Sequence, residues 1–173
     1  DGTVGPFGWG RWHGNPVAVP LAQVQLPMTI QPYQLPGYAN MQYTGSCHCG
    51  QVQFEVEAPA EMVCVDCNCS ICARSGYLHL ILPLANFKLF SGADCLSTYT
   101  FGSGIARHTF CSNCGIKAFY TPRSNPDGID VNVRCLNPQP EQLTIEPFDG
   151  QHWEDHAATL THLSAAKNST PGY

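Results

Sequence analysis

A chain of 173 residues with 43% hydrophobic content is long enough for one domain with a buried core, and its composition is neither that of a disordered chain nor that of a membrane protein. Charge is sparse: charged residues make up 12%, the formal net charge is −5, and the 8 Lys and Arg form no cluster that could track a phosphate backbone. Nucleic acid is therefore not an expected partner. Nor is a membrane, because no run approaches the ~20 apolar residues that cross a bilayer.

Residues 1–40 contain many of the glycines and prolines, no cysteine and no sustained helical or alternating period. They read as an N-terminal extension, either a poorly packed tail or an arm that docks on a second copy of the chain and so makes a homo-oligomer. The start of the chain has no charged residues leading into an apolar run, so no secretory signal is read and a cytoplasmic, reducing setting is expected. A single domain is expected over residues 41–153, followed by a C-terminal helix and tail over 154–173.

Strict polar–apolar alternation over residues 51–57 predicts a half-buried strand, ended by Pro59. Further strands are expected at 77–82, 87–90, 117–120, 128–133 and 143–146, and a hairpin at 96–101 and 105–110 around Gly102-Ser103-Gly104. Only residues 153–163 carry a helical pattern, with Trp153, His156, Ala157, Leu160 and Leu163 on one face. The 16 Gly and 14 Pro fit this picture of a mainly β chain of short sheets stitched together by metal-binding loops.

The 10 cysteines carry the chemistry. Cys47-x-Cys49-Gly50 and Cys111-x-x-Cys114-Gly115 are two hooks, each closed by a glycine that lets the backbone turn around a metal. CxC pairs suit chelation and make strained disulfide rings, so zinc ligation is preferred to oxidation. Four thiolates complete a tetrahedral shell and leave no place for substrate, which makes this a structural zinc site. Cys67-x-Cys69-x-x-Cys72 offers three close ligands, and three protein ligands leave zinc the open position of a catalytic site. Cys64 stands a CxxC step before Cys67, and spacing alone leaves open a closed four-cysteine site that includes it. Cys95 and Cys135 are expected as small buried hydrophobes.

The segments Thr44-Gly45-Ser46-Cys47-His48-Cys49-Gly50, Cys67-Asn68-Cys69-Ser70-Ile71-Cys72 and His108-Thr109-Phe110-Cys111-Ser112-Asn113-Cys114-Gly115 resemble the glutathione-dependent formaldehyde-activating enzyme family. Residues 119–126 with Arg134-Cys135-Leu136 are closer still to its centromere-protein-V-like branch. The resemblance spans about residues 42–153. It implies a β-tent (Mss4-like) fold and two zinc ions per chain: a structural one on Cys47, Cys49, Cys111 and Cys114, and a catalytic one on Cys67, Cys69 and Cys72. Cys64, Cys95 and Cys135 receive no role from it. The implied activity is that of a carbon–sulfur lyase or synthase acting on a small thiol such as glutathione, with formaldehyde as the second reactant and S-(hydroxymethyl)glutathione as product. The rival readings are a non-catalytic zinc-stabilised binding module of the centromere-protein-V type, and a thiol redox or metal-storage protein.

Among the other polar residues, Arg123 and Asn125 in the loop Pro122-Arg123-Ser124-Asn125-Pro126, and Arg74 just past Cys72, are candidate substrate contacts, because a guanidinium grips a carboxylate bidentately. His48 and His108 border the hooks and read as local structure. His79 reads as a satisfied core or half-exposed residue within its strand, and His152 and His156 have no third ligand beside them.

Overall fold

A computed structural model describes residues 40–165. The expected N-terminal arm and the end of the tail lie outside the described residues.

Strands β1 (Asn40–Ser46) and β2 (Gln53–Pro59) form an antiparallel hairpin whose turn carries the first cysteine hook. β2 alternates as its sequence requires, burying Phe54, Val56 and Ala58 on one side. β3 (Glu61–Cys67) runs straight up to the second cysteine cluster, and α1 (Ser70–Ser75) follows it. Then come β4 (Leu78–Pro83), β5 (Phe87–Ser91), β6 (Leu96–Tyr99), β7 (His108–Cys111), β8 (Phe119–Tyr120), β9 (Gly128–Asn132), β10 (Leu136–Asn137) and β11 (Gln142–Phe148). The helical end comprises a 3-10 turn at Gly150–His152, α2 (Trp153–His156) and a 3-10 helix at Ala157–Ser164.

The strands make a four-stranded sheet in the order β10-β1-β2-β5, a five-stranded sheet in the order β11-β3-β4-β9-β8, and the β6-β7 hairpin. The main core lies between the two larger sheets, where Tyr43, Phe54 and Val56 meet Met62, Leu80 and Val131. Phe54 anchors it, packing on Phe87 and Phe119 at 5.5 Å between ring centroids in both cases.

The five-stranded sheet has a second covered face, and strand alternation decides what stands there. In β4, Leu78, Leu80 and Leu82 enter the main core, which turns His79 and Ile81 to the far side. In β3, Met62 and Cys64 enter the core while Val65 and Cys67 face away; in β9 and β8, Val131 and Phe119 enter it while Asp130 and Tyr120 do not. A smaller apolar cluster of Cys67, Cys72, Ile81, Phe148 and Leu160 forms on that far side, closed by the helical end of the domain.

The mainly β fold of short sheets agrees with the sequence reading, with four corrections. The β11–β3 pairing is parallel, so the larger sheet is mixed rather than purely antiparallel. Residues 61–67, absent from the expected strands, form a full strand: Val63 and Val65 supply the β-branched positions, and the loop begins only at Asn68. α1 was not expected, being six residues long and too short to show a helical period. The helix foreseen over 153–163 is split between α2 and the 3-10 helix.

Candidate metal centres and active site

The first cluster brings together the β1–β2 turn of the four-stranded sheet and the end of the β6–β7 hairpin. Cys47 follows β1 and Cys111 ends β7; both are buried, at 2% and 1% exposure. Each begins a tight turn: Gly50 N–H donates to Cys47 O at 3.1 Å, and Gly115 N–H donates to Cys111 O at 2.8 Å. Gly50 and Gly115 have φ of +76° and +74°, which an L side chain adopts only under strain, so each hook needs its closing glycine. A sulfur tetrahedron with ~2.3 Å zinc–sulfur bonds has edges of ~3.8 Å. Cys47 and Cys49 Sγ lie 3.5 Å apart and Cys49 and Cys111 Sγ 3.7 Å, and all four sulfurs, including Cys114, lie within 4.8 Å of one another. Burial pushes the Cys47 thiol up to about 11, while hydrogen bonding led by Asn113 draws Cys49 down to about 6. A divalent cation resolves that conflict by favouring all four thiolates together. The donor set fits zinc.

The second cluster is built on a strand end and a helix start. Cys67 closes β3, Cys69 occupies the N-cap position of α1, and Cys72 lies in its first turn. The three sulfurs lie within 4.8 Å of one another, and no fourth His, Cys, Asp or Glu joins them among the described residues. Cys64, fully buried, sits in the main core on the opposite face of β3 from Cys67, so strand parity separates it from the cluster. The loop is pinned from outside. Asn68 Nδ2 donates to Asp149 Oδ1 at 3.0 Å, Gln151 N–H donates to Asn68 Oδ1 at 3.0 Å, and Asn68 N–H donates to Phe148 O at 3.2 Å. Gly150 presses against it so closely that an added Cβ would lie 2.3 Å from Cys67 Sγ. Hydrogen bonds from Cys67 and Cys72 hold Cys69 far below the usual thiol range, and the same contacts push Cys72 far above it. A cation would favour all three thiolates together.

Unlike the first cluster, this one opens on a cavity of about 420 Å³, whose wall includes all three cysteines. Ile81, Phe101, Phe148 and Leu160 give it apolar surface. Its polar wall includes His79, Asp130, His108 and Tyr120. His79 Nδ1 lies 2.7 Å from Asp130 Oδ2, and both side chains are buried. His108 stacks between Phe101 and Tyr120 at 5.4 and 4.8 Å, and burial, reinforced by Lys117, pushes its pKa down to about 4. At the mouth Arg123 lies 3.2 Å over the Trp153 ring and 3.2 Å from Glu154 Oε1.

A family model described as glutathione-dependent formaldehyde-activating enzyme matches residues 42–154. The chain belongs to that family. A crystal structure of a Rhodobacter sphaeroides protein, solved as a structural genomics target, is similar to it at 36% identity with a TM-score of 0.52; the match covers 59% of this chain and 98% of that one. The family assignment and the paired cysteine clusters agree with the residues from which the family was first read, and the mainly β sheets agree with the fold that it implied.

Of the candidate substrate contacts in this family member, Arg123 lines the cavity and two others do not. Arg74 is outside the lining, its Nη1 donating to Ser70 O at 2.6 Å as a brace on α1. Asn125 is fully buried, and its Nδ2 donates to Leu160 O, Thr161 O and Ser164 Oγ, so it fastens the 3-10 helix instead of facing a ligand. Cys95 and Cys135, expected to be buried, are half-buried. His108, read as local structure, is on the cavity wall, as are Asp130 and Tyr120, which sequence reasoning passed over. The signal for Asp130 was a lone acid in the apolar run Ile129-Asp130-Val131.

Proposed function

We propose that this protein is a zinc-dependent carbon–sulfur lyase/synthase that joins a small thiol to an aldehyde, with glutathione and formaldehyde giving S-(hydroxymethyl)glutathione as the reaction suggested by its family. The observation that carries this reading is the contrast in ligand number and surroundings: three thiols on the wall of a cavity of about 420 Å³ with no fourth ligand among the described residues, and four thiols that make a complete ligand set among themselves. A non-catalytic binding module would need no cavity at its second cluster.

Cys47, Cys49, Cys111 and Cys114 would hold a structural zinc, and Cys67, Cys69 and Cys72 a catalytic one, two per chain. A zinc held by these three thiolates would keep a coordination position for a substrate thiol and would favour its thiolate. The chain's own groups do the rest. Ile81 and Phe148, both largely buried, give the cavity an apolar wall, and the lower local dielectric there strengthens polar contacts beside it. Arg123, preorganised by its stack on Trp153, is placed to take a substrate carboxylate in exchange for the exposed Glu154, since a surface ion pair is worth only ~0–1 kcal/mol. Ten free cysteines and thiolate metal sites suit a reducing compartment, in keeping with the cytoplasmic expectation. No helix among the described residues is long and apolar enough to cross a membrane.

The test is exchange between glutathione and its formaldehyde adduct, followed by exchange NMR against the uncatalysed background. The zinc-loaded wild type is expected to accelerate it, Cys69→Ala to lose the acceleration, and Arg123→Ala to raise KM about tenfold (~1.4 kcal/mol) with Arg74→Ala unchanged. Background rates for the wild type would refute the enzyme reading.

A further inference from the structure

One buried polar pair on the cavity wall has no part in the scheme above. β4 and β9 are antiparallel neighbours whose far faces carry His79 and Asp130, 6% and 0% exposed. With the Asp130 carboxylate accepting at 2.7 Å, a neutral His79 donates from Nδ1 and leaves Nε2 with a bare lone pair. Nε2 is buried and has no hydrogen-bond partner among the described residues; Asp130 Oδ1 is in the same condition. Such orphaned atoms are rare in folded proteins and call for an explanation. Both residues border the cavity that the three thiols share. The imidazole has little freedom to turn elsewhere. Tyr77 packs on it at 4.7 Å, Tyr120 at 6.0 Å, and Tyr77 Oη donates to Asp130 O at 2.8 Å, which fixes the strand beneath.

We propose that His79 is the proton carrier of the thiol–aldehyde reaction and that Asp130 is its positioning residue; this rests on the function proposed above. In adduct formation Nε2 takes the proton of the substrate thiol. The sulfur electron pair forms the new carbon–sulfur bond, and the carbonyl π pair moves to oxygen. Nε2 then returns the proton to that oxygen, completing the hydroxyl. Cleavage is the reverse: Nε2 takes the hydroxyl proton, the carbonyl re-forms, the carbon–sulfur pair leaves with sulfur, and the proton passes back to sulfur. Adduct and reactants contain the same atoms, and nothing is oxidised or reduced. Asp130 keeps the proton on Nδ1, so that Nε2 remains the acceptor in the resting protein.

The test uses the full zinc-loaded chain with glutathione and formaldehyde, measuring exchange NMR rates, zinc content and glutathione affinity. His79→Gln cannot carry the proton and is expected to lower the catalysed rate ~10²–10⁴-fold, with both zinc ions and glutathione affinity retained. Asp130→Asn is expected to lower the rate and to move the proton to Nε2, read from histidine ¹⁵N shifts, a change that simple bracing of β4 to β9 would not produce. His79→Gln turnover at the wild-type rate, or a fall that accompanies loss of zinc, overturns the proposal while leaving the proposed function standing. A wild type with no acceleration overturns both. Should His79→Gln not fold, the wild-type ¹⁵N spectrum decides: Nε2 must be the unprotonated nitrogen and must shift when glutathione and formaldehyde are added together. A protonated or unresponsive Nε2 contradicts the assignment.

Discussion

The two cysteine clusters use the same ligand atom and differ in everything that surrounds it. Cys47, Cys49, Cys111 and Cys114 come from two reverse turns far apart in sequence, so a metal there would tie the β1–β2 hairpin to the β6–β7 hairpin. Cys67, Cys69 and Cys72 come from one short stretch that β3 and α1 already shape, with Asn68, Asp149 and Gly150 closing it from behind. A metal in the first cluster would join elements, whereas in the second it would sit on a scaffold built without it. On the function proposed above, metal-dependent folding and metal-dependent chemistry would be separated in one small domain.

The largest expected effect breaks that contrast at its stronger end. Cys111→Ser removes a buried sulfur ligand from the joining cluster; structural zinc in small domains is worth ~10–16 kcal/mol of apparent binding free energy. The expected result is loss of the cooperative thermal transition, whereas Cys69→Ala keeps the transition and loses turnover.

Gly150→Ala probes the scaffold behind the second cluster. Its Cβ would meet Cys67 Sγ at 2.3 Å and Cys69 Cβ at 2.9 Å, so the thiol must move. Zinc affinity at that cluster is expected to fall ~10–100-fold, the range found when supporting contacts around a metal are lost, with the other cluster unaffected in a chelator competition.

The sequence made the two ligand sets legible because chelation demands close spacing, and spacing survives without a fold. It also carried β2, since Phe54, Val56 and Ala58 obey a period of two. What it hid came from two physical sources. α1 and β10 are too short to show a period, and β3 was masked by the cysteines that interrupt its apolar pattern. The wall of His79, Asp130 and Tyr120 assembles from three strands whose register no local pattern reports. Asn125 was misjudged for a related reason. A polar loop residue points to solvent by default, but here the 3-10 helix folds back over it.

Cys64→Ala sharpens the comparison with a smaller effect. Cys64 lies in the main core away from the cluster, so the expected outcome is a packing loss of ~1–2 kcal/mol in denaturant unfolding with zinc stoichiometry and turnover intact.

The smallest effect concerns the exposed brace on the loop. His152 Nδ1 lies 2.7 Å from Asp149 Oδ2. The contact draws the Asp149 pKa down to about 2 and raises that of His152 above its ordinary value. A lowered carboxylate contributes above its unfolded pKa and loses the contribution as pH falls toward 2; a raised imidazole contributes below its unfolded pKa and loses it as pH rises through the folded value. Stability from this pair is therefore greatest between about pH 4 and pH 6.5. His152→Ala is expected to flatten the dependence of Tm on pH just above that window.

Zinc counting under a chelator challenge tests the separation of roles most directly. Full-length protein purified with zinc should contain two ions per chain. A graded chelator should remove one while far-UV circular dichroism and the thermal transition persist, and Cys69→Ala protein should begin with only the slow ion. Two ions lost together with the fold, or one ion in total, would contradict the account.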